Sequence, residues 1–302
     1  MTTEQYGGAW PTMATPYDRK LDIDVGAYHT TIDWYVERGV GGVYANCLSS
    51  EMLLLDEEER LLLVTEAVKA AAGRTPVAAT GNLGSTIKEH IAFCRRVADA
   101  GADVVMLVVP EFHENDADLE RYYLDIAESV DVPLGLYECP VPRQYHLGVD
   151  LVSVLAQSGR FVAYKETSCD LAKIKALLEV TAGTPLSLLQ ANTPYLLDSV
   201  RAGGLGTMST ATIWLPDLVA AVIDKGRAGD PDAERLQGEL CALHMVERIA
   251  HPKGTKYLLG KRGLPFTTRS RHKTSPLSPE VLRGLDYCAE RWFDADGNLT
   301  MI

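Results

Sequence analysis

The 302-residue sequence predicts an α/β fold, a (β/α)8 TIM barrel with a C-terminal helical extension. Three observations lead there. The length suits one barrel of about 250 residues with an appendage. Short β-branched or small apolar runs alternate with longer stretches of helical period, the pattern of βα units on a parallel sheet. The alternation occurs eight times before the pattern becomes purely helical.

Strands are expected at residues 8–14, 42–46, 76–81, 104–109, 133–137, 161–166, 186–190 and 204–209, each followed by a helical stretch. The helix starts carry their own signal. Asp56 precedes Glu59 and Thr86 precedes Glu89, the spacing at which a cap side chain and a third-position carboxylate satisfy exposed backbone N–H groups. The helices predicted at 25–38 and 86–100 stop at Gly39 and Gly101, where glycine supplies the left-handed conformation that closes a helix. Further helices are expected near 232–249, 253–262 and 278–293. No Gly/Ser-rich spacer intervenes, so residues 226–302 are expected to pack on a barrel formed by 1–225, which carries the active site.

Composition narrows the function. Hydrophobic residues make up 46% and charged residues 23% of the chain, as in ordinary globular domains. A net charge of −12 disfavours a nucleic-acid partner, which needs a basic footprint. Residues 1–8 lack an apolar signal core and no run of about 18 uncharged apolar residues follows, so neither secretion nor a membrane partner is expected. Six cysteines without a CxxC pair suggest neither a zinc site nor a disulfide framework; the expected compartment is the cytoplasm. No metal and no cofactor are expected.

Active sites of such barrels lie at the C-terminal ends of the strands. That rule selects Asn46 with residues 47–51, Glu111 to His113, Tyr137 with Glu138, Lys165, Asn192, and the segment from Ser209 to Thr212. Alternation sets Phe161, Ala163 and Lys165 on one face of the sixth strand, with Tyr164 and Glu166 on the other. A lysine among apolar neighbours loses its charge more readily, and the neutral amine can attack a ketone; a plain strand-end salt bridge is the competing reading. Tyr137 could pass a proton to a carbinolamine or could simply fill the core, with Gly135 leaving space beside it. Cys47-Leu48-Ser49-Ser50-Glu51 offers hydroxyls and turn amides suited to a carboxylate. Gly203, Gly204 and Gly206 precede the eighth strand, at the wrong end of the barrel for a phosphate loop.

Taken together these motifs resemble the dihydrodipicolinate synthase and N-acetylneuraminate lyase superfamily, over nearly the whole chain. The segment from Trp10 to Asp18 (Trp-Pro-Thr-Met-Ala-Thr-Pro-Tyr-Asp) looks like the family's first strand, and Cys47 to Glu51 sits at its Gly-Thr-Thr-Gly-Glu motif. Val109-Pro110 matches the turn after its fourth strand. Tyr137-Glu138-Cys139-Pro140 is similar to its Tyr-Asn-x-Pro, and Tyr164-Lys165-Glu166-Thr167-Ser168 to its Schiff-base strand. The resemblance implies that Lys165 forms the imine with a 2-oxo acid such as pyruvate, that Tyr137 shuttles protons, and that Ser49 and Ser50 cradle the carboxylate. It also implies a homo-oligomer, a dimer or tetramer.

Departures from the family pattern shape the rest of the reading. Leu48 stands at a position usually held by Thr or Ser, Phe112 where the synthase has a relay tyrosine, Ser50 in place of glycine, and Glu138 in place of asparagine. Arg143 lies near the position of an arginine that holds the second substrate, one residue out of register. Glu111, His113, Glu138 and Arg143, with Met208, are therefore set down as substrate-binding candidates. The expected function is an aldolase or dehydratase acting through Lys165. A synthase-like condensation and a non-catalytic small-acid-binding descendant are the alternatives, and the joint presence of Lys165 and Tyr137 favours an enzyme.

Overall fold

The computed structural model describes residues 6–302. Among them, eight strands form one all-parallel sheet: β1 (Gly8–Ala9), β2 (Val43–Asn46), β3 (Val77–Thr80), β4 (Val104–Val108), β5 (Leu134–Tyr137), β6 (Phe161–Glu166), β7 (Ser187–Gln190) and β8 (Gly206–Thr207). From β2 to β8 each pairs with its sequence neighbour, and β1 pairs with β8. The seam between β1 and β2 closes through backbone hydrogen bonds from Gly41 N to Ala9 O and from Tyr44 N to Pro11 O, both 2.9 Å. The barrel is thus complete.

The helices between strands are α1 (Val25–Glu37), α2 (Glu57–Ala71), α3 (Ile87–Asp99), α4 (Asp116–Ser129), α5 (Val149–Gln157), α6 (Leu171–Thr181) and α7 (Leu196–Arg201), with α8 (Pro216–Ala228) after β8. Both expected capping boxes are present: Asp56 accepts from Glu59 N while Glu59 accepts from Asp56 N, and Thr86 and Glu89 do the same. Gly39 and Gly101 take φ of 64° and 96° just beyond α1 and α3, as the sequence requires.

Two strands are much shorter than expected. The 8–14 segment keeps only Gly8 and Ala9 in strand geometry and continues as irregular backbone bridged to Tyr44 from Thr12; Pro11, lacking an N–H, cannot extend the ladder. The 204–209 segment is strand only at Gly206 and Thr207. Gly206 meets Gly8 so closely that an added Cβ would lie 2.0 Å from the Gly8 carbonyl oxygen.

Three more helices follow, α9 (Asp232–Arg248), α10 (Lys253–Lys261) and α11 (Pro279–Trp292). Leu236 and Leu240 of α9, Leu258 and Leu259 of α10 and Leu285 of α11 share one buried cluster with Ile32 and Tyr35 of α1 and Leu218 and Val222 of α8. Buried apolar area at ~25 cal/mol per Å² binds the extension to the barrel wall. The fully buried Arg262 adds bonds to Trp214 O (3.0 Å) and to the Asp217 carboxylate (2.5 Å).

Inside the barrel, Tyr44, Met106, Tyr137, Ala163, Leu189 and Met208 form a separate cluster. Phe161, expected on the same face as Lys165, instead packs outward against Tyr123 at 6.3 Å. The cause is a register irregularity between Leu134 and Gly135, whose partners are Phe161 and Ala163, so that one residue of β6 is skipped. From Ala163 onward the alternation is regular, which is what aims Lys165 inward.

Candidate active site

Lys165 sits at the end of β6, 5% exposed, and its register partner on β5 is Tyr137. The Lys165 Nζ lies 4.1 Å from the Tyr137 ring centroid and 5.6 Å from that of Tyr44. Gly135, two residues before Tyr137, leaves room for the Met106 side chain, since a Cβ there would fall 2.2 Å from the Met106 sulfur. Burial pushes the Lys165 amine below the ordinary lysine range, and the nearby Cys47 and Cys139 thiols oppose that shift. Burial also drives the Tyr137 phenol far above its ordinary value, with Cys139 adding to the effect. The pair is therefore an amine prone to neutrality beside a phenol that keeps its proton.

Both residues line a cavity of about 710 Å³ at the C-terminal end of the barrel. Leu48, Ser49, Thr167, Asn192 and Met208 line it too. Ser49 Oγ lies 3.3 Å from Thr12 Oγ1, an orienting contact from the β1 side of the seam.

Other predicted residues are placed elsewhere. Ser50 turns its hydroxyl to the Met13 and Ala45 carbonyls (2.7 and 3.0 Å) and accepts from Cys47 N, so it braces the loop rather than facing the cavity. Glu138 is fully buried on the outer side of the barrel, where its carboxylate accepts from Tyr164 Oη (2.6 Å), Leu147 N (2.8 Å) and Thr167 N (2.8 Å) and lies 3.5 Å from Lys173. Strand alternation accounts for this: with Tyr137 inward, the next side chain points out. Arg143 is exposed and donates to the His113 carbonyl. His113 lines a separate small cleft with Phe112 and Tyr122, and Glu111 is exposed on the same loop. Cys47 and Cys139 flank Lys165.

The carboxylate of Glu51 anchors the C-terminal segment. Its Oε1 pairs with Lys256 Nζ of α10 at 2.6 Å, both side chains buried, and its Oε2 accepts from Ser270 Oγ (3.0 Å) and Arg271 N (2.7 Å). Glu51 itself takes φ 64°, a left-handed geometry uncommon for a non-glycine residue. The anchored segment brings His272 and Thr274 to the cavity.

One wall was missed by sequence reasoning, which treated the stretch after the barrel as a simple cap. His244, Glu247 and Arg248 of α9 and His251 just after it line the same cavity as Lys165. Their spacing of three, four and seven residues, which sets them on one helix face, was the available signal.

Known proteins show the same architecture. Residues 5–289 match the model of the Dihydrodipicolinate synthetase family. A Methanosarcina mazei protein named 4-hydroxy-tetrahydrodipicolinate synthase is 30% identical across 79% of this chain and 81% of its own length. A Pseudomonas putida protein of the same name is 28% identical across 85% and 88%. Among solved structures, dihydrodipicolinate synthase from Aquifex aeolicus superposes with a TM-score of 0.87 at 24% identity, covering 98% of this chain and all of that one. YagE, an E. coli prophage protein of the dihydrodipicolinic acid synthase family solved with pyruvate, gives 0.86 at 23% identity, over 95% and 98%.

Proposed function

The chain belongs to the dihydrodipicolinate synthetase family, and from that premise we propose that it is a lyase acting on a 2-oxo acid such as pyruvate, with Lys165 forming the Schiff base. The observation that carries this reading is the buried Lys165 amine over the Tyr137 ring at the mouth of a closed parallel barrel. The neutral amine attacks the ketone carbon to give a carbinolamine. Tyr137 donates its proton to the departing hydroxyl, water leaves, and an imine remains. The protonated imine then accepts an electron pair from the adjacent carbon: in an aldolase that of the cleaved carbon–carbon bond, whose far carbon leaves as a carbonyl compound after its hydroxyl loses a proton, and in a dehydratase that of a C–H bond, the resulting enamine then expelling the hydroxyl one carbon further on as water. Ser49 serves the substrate carboxylate and Met208 supplies an apolar wall.

A second reading is synthase-like condensation, favoured by the names of the relatives. Leu48 at the cavity edge and Phe112, stacked on His90 at 5.4 Å, supply no hydroxyl to the proton relay such a reaction uses, so the lyase reading stands first. The same premise extends to a cytoplasmic homo-oligomer, a dimer or tetramer. Leu53 and Leu54 after β2 and Phe112 after β4, each more than 40% exposed, are apolar side chains that a subunit contact would cover.

Borohydride reduction in the presence of pyruvate, read by peptide mass, tests the central reading. A stable adduct on Lys165 is expected; labelling elsewhere, or none with a panel of 2-oxo acids, refutes it.

A further inference from the structure

The cavity is much larger than a three-carbon acid needs, and its α9 wall holds polar atoms with no hydrogen-bond partner among the described residues. Glu247 is fully buried, 0% exposed. Its Oε1 is held by His251 Nδ1 at 2.6 Å and by the Thr255 hydroxyl, whereas Oε2 has no hydrogen-bond partner among the described residues. His244 Nδ1 lies 3.6 Å from Oε2, too far for a hydrogen bond, and that nitrogen too is unpartnered among the described residues. On the barrel side of the same cavity, Asn192 Nδ2 is a buried donor without an acceptor among the described residues. Buried polar atoms of this kind are rare in folded proteins and each is costly unless a ligand or water completes it.

The set has a chemical meaning. A carboxylate oxygen only accepts, an amide nitrogen only donates, and a hydroxyl does both. Arg248, exposed on the same wall, adds a cation at the open side. We propose that the α9 wall is a binding subsite for a hydroxylated carboxylic acid chain, with ligand hydroxyls donating to Glu247 and accepting from Asn192 and with the ligand carboxylate at Arg248. His251 and Thr255 act as positioning residues, since they occupy one Glu247 oxygen and leave the other for the ligand. This inference deepens the Schiff-base reading by naming the class of the second reactant or cleaved fragment that lies beyond the 2-oxo acid.

The test uses the full chain with Lys165→Ala, so that binding is read without imine chemistry and its outcome is independent of whether Lys165 is the nucleophile. Gluconate is the hydroxylated probe and hexanoate the unhydroxylated control, each at millimolar concentration in a thermal melt and in calorimetric titration. Gluconate should raise Tm by a few degrees, and hexanoate should not. Glu247→Gln should weaken gluconate binding by about tenfold to a hundredfold, the effect of losing a charged hydrogen bond. Glu247 lies in a buried network, so Asn192→Ala, which removes a side-chain donor with no partner of its own, provides a second variant and should weaken binding by about threefold to tenfold. Absence of any gluconate effect, an equal effect of hexanoate, or gluconate binding unchanged in a folded Glu247→Gln or Asn192→Ala protein overturns the proposal.

Discussion

Lys165 and Tyr137 are register partners on adjacent parallel strands, and the lysine nitrogen lies 4.1 Å from the centre of the phenol ring. The ring face attracts the ammonium form, while burial disfavours it, and burial prevails. The same two residues thus hold an amine and its proton donor within one turn of chemistry, 28 positions apart in the chain.

The direction of the Lys165 shift predicts a pH profile. Because burial lowers its pKa below the ordinary value of about 10.4, the reactive neutral amine gains population as pH rises through that lowered value. Imine formation with pyruvate, quenched into one common borohydride condition and measured by mass, should rise with pH and level off below 10.4. A rate still climbing through the ordinary lysine range would show an unperturbed amine.

Tyr137→Phe keeps the ring that packs against Tyr44 at 6.0 Å and removes only the hydroxyl. Imine formation and turnover should both slow by about 10²-fold to 10⁴-fold, as for a lost acid/base group, with the fold unchanged by circular dichroism. Wild-type rates in this variant would make Tyr137 a core aromatic.

Condensation of pyruvate with aspartate semialdehyde should be slow or undetectable in a coupled reductase assay, because Leu48 and Phe112 carry no hydroxyl. Turnover equal to that of an authentic synthase would require another proton route and would move the second reading ahead of the first.

Breaking the buried pair of Glu51 and Lys256 should be expensive. Lys256→Met leaves the Glu51 carboxylate without its 2.6 Å cationic partner in a site closed to water, a loss of about 3–5 kcal/mol by urea unfolding. The double variant Glu51→Met, Lys256→Met should recover part of that loss, since no unpaired charge stays buried. Equal destabilisation in the single and double variants would contradict this account.

Glu59 predicts acid sensitivity at the same junction. The Arg271 guanidinium, with Nη1 and Nη2 each 2.6 Å from a Glu59 oxygen, holds that carboxyl below its usual range. A depressed carboxylate pKa means stability that is present above the unfolded value of about 4.3 and is lost as pH falls through the folded one. The urea midpoints of wild type and Arg271→Ala should therefore differ at neutral pH and converge in acid. A gap that is independent of pH would show that Arg271 acts only through its bonds to backbone, such as that to Leu21 O at 2.9 Å.

By itself the sequence determined the repeating architecture and the strand that carries Lys165. Periodicity, capping boxes at Asp56 and Thr86 and glycines beyond the helix ends are local signals, and helix and strand formation answer to local chemistry. Alternation also contained the outward turn of Glu138, since its neighbour Tyr137 points in, although the resemblance to an asparagine position drew attention to it as a ligand. Tertiary structure alone decided which residues share the cavity. A skipped residue on β6 sends Phe161 outward and depends on the register with β5. The α9 residues His244 and Glu247 reach the Lys165 cavity because Glu51 grips Lys256 and Arg271, more than two hundred positions away, and because α8 to α11 bury their leucines against α1. Such long-range contacts arise from packing free energy summed over the whole fold, which no window of sequence contains.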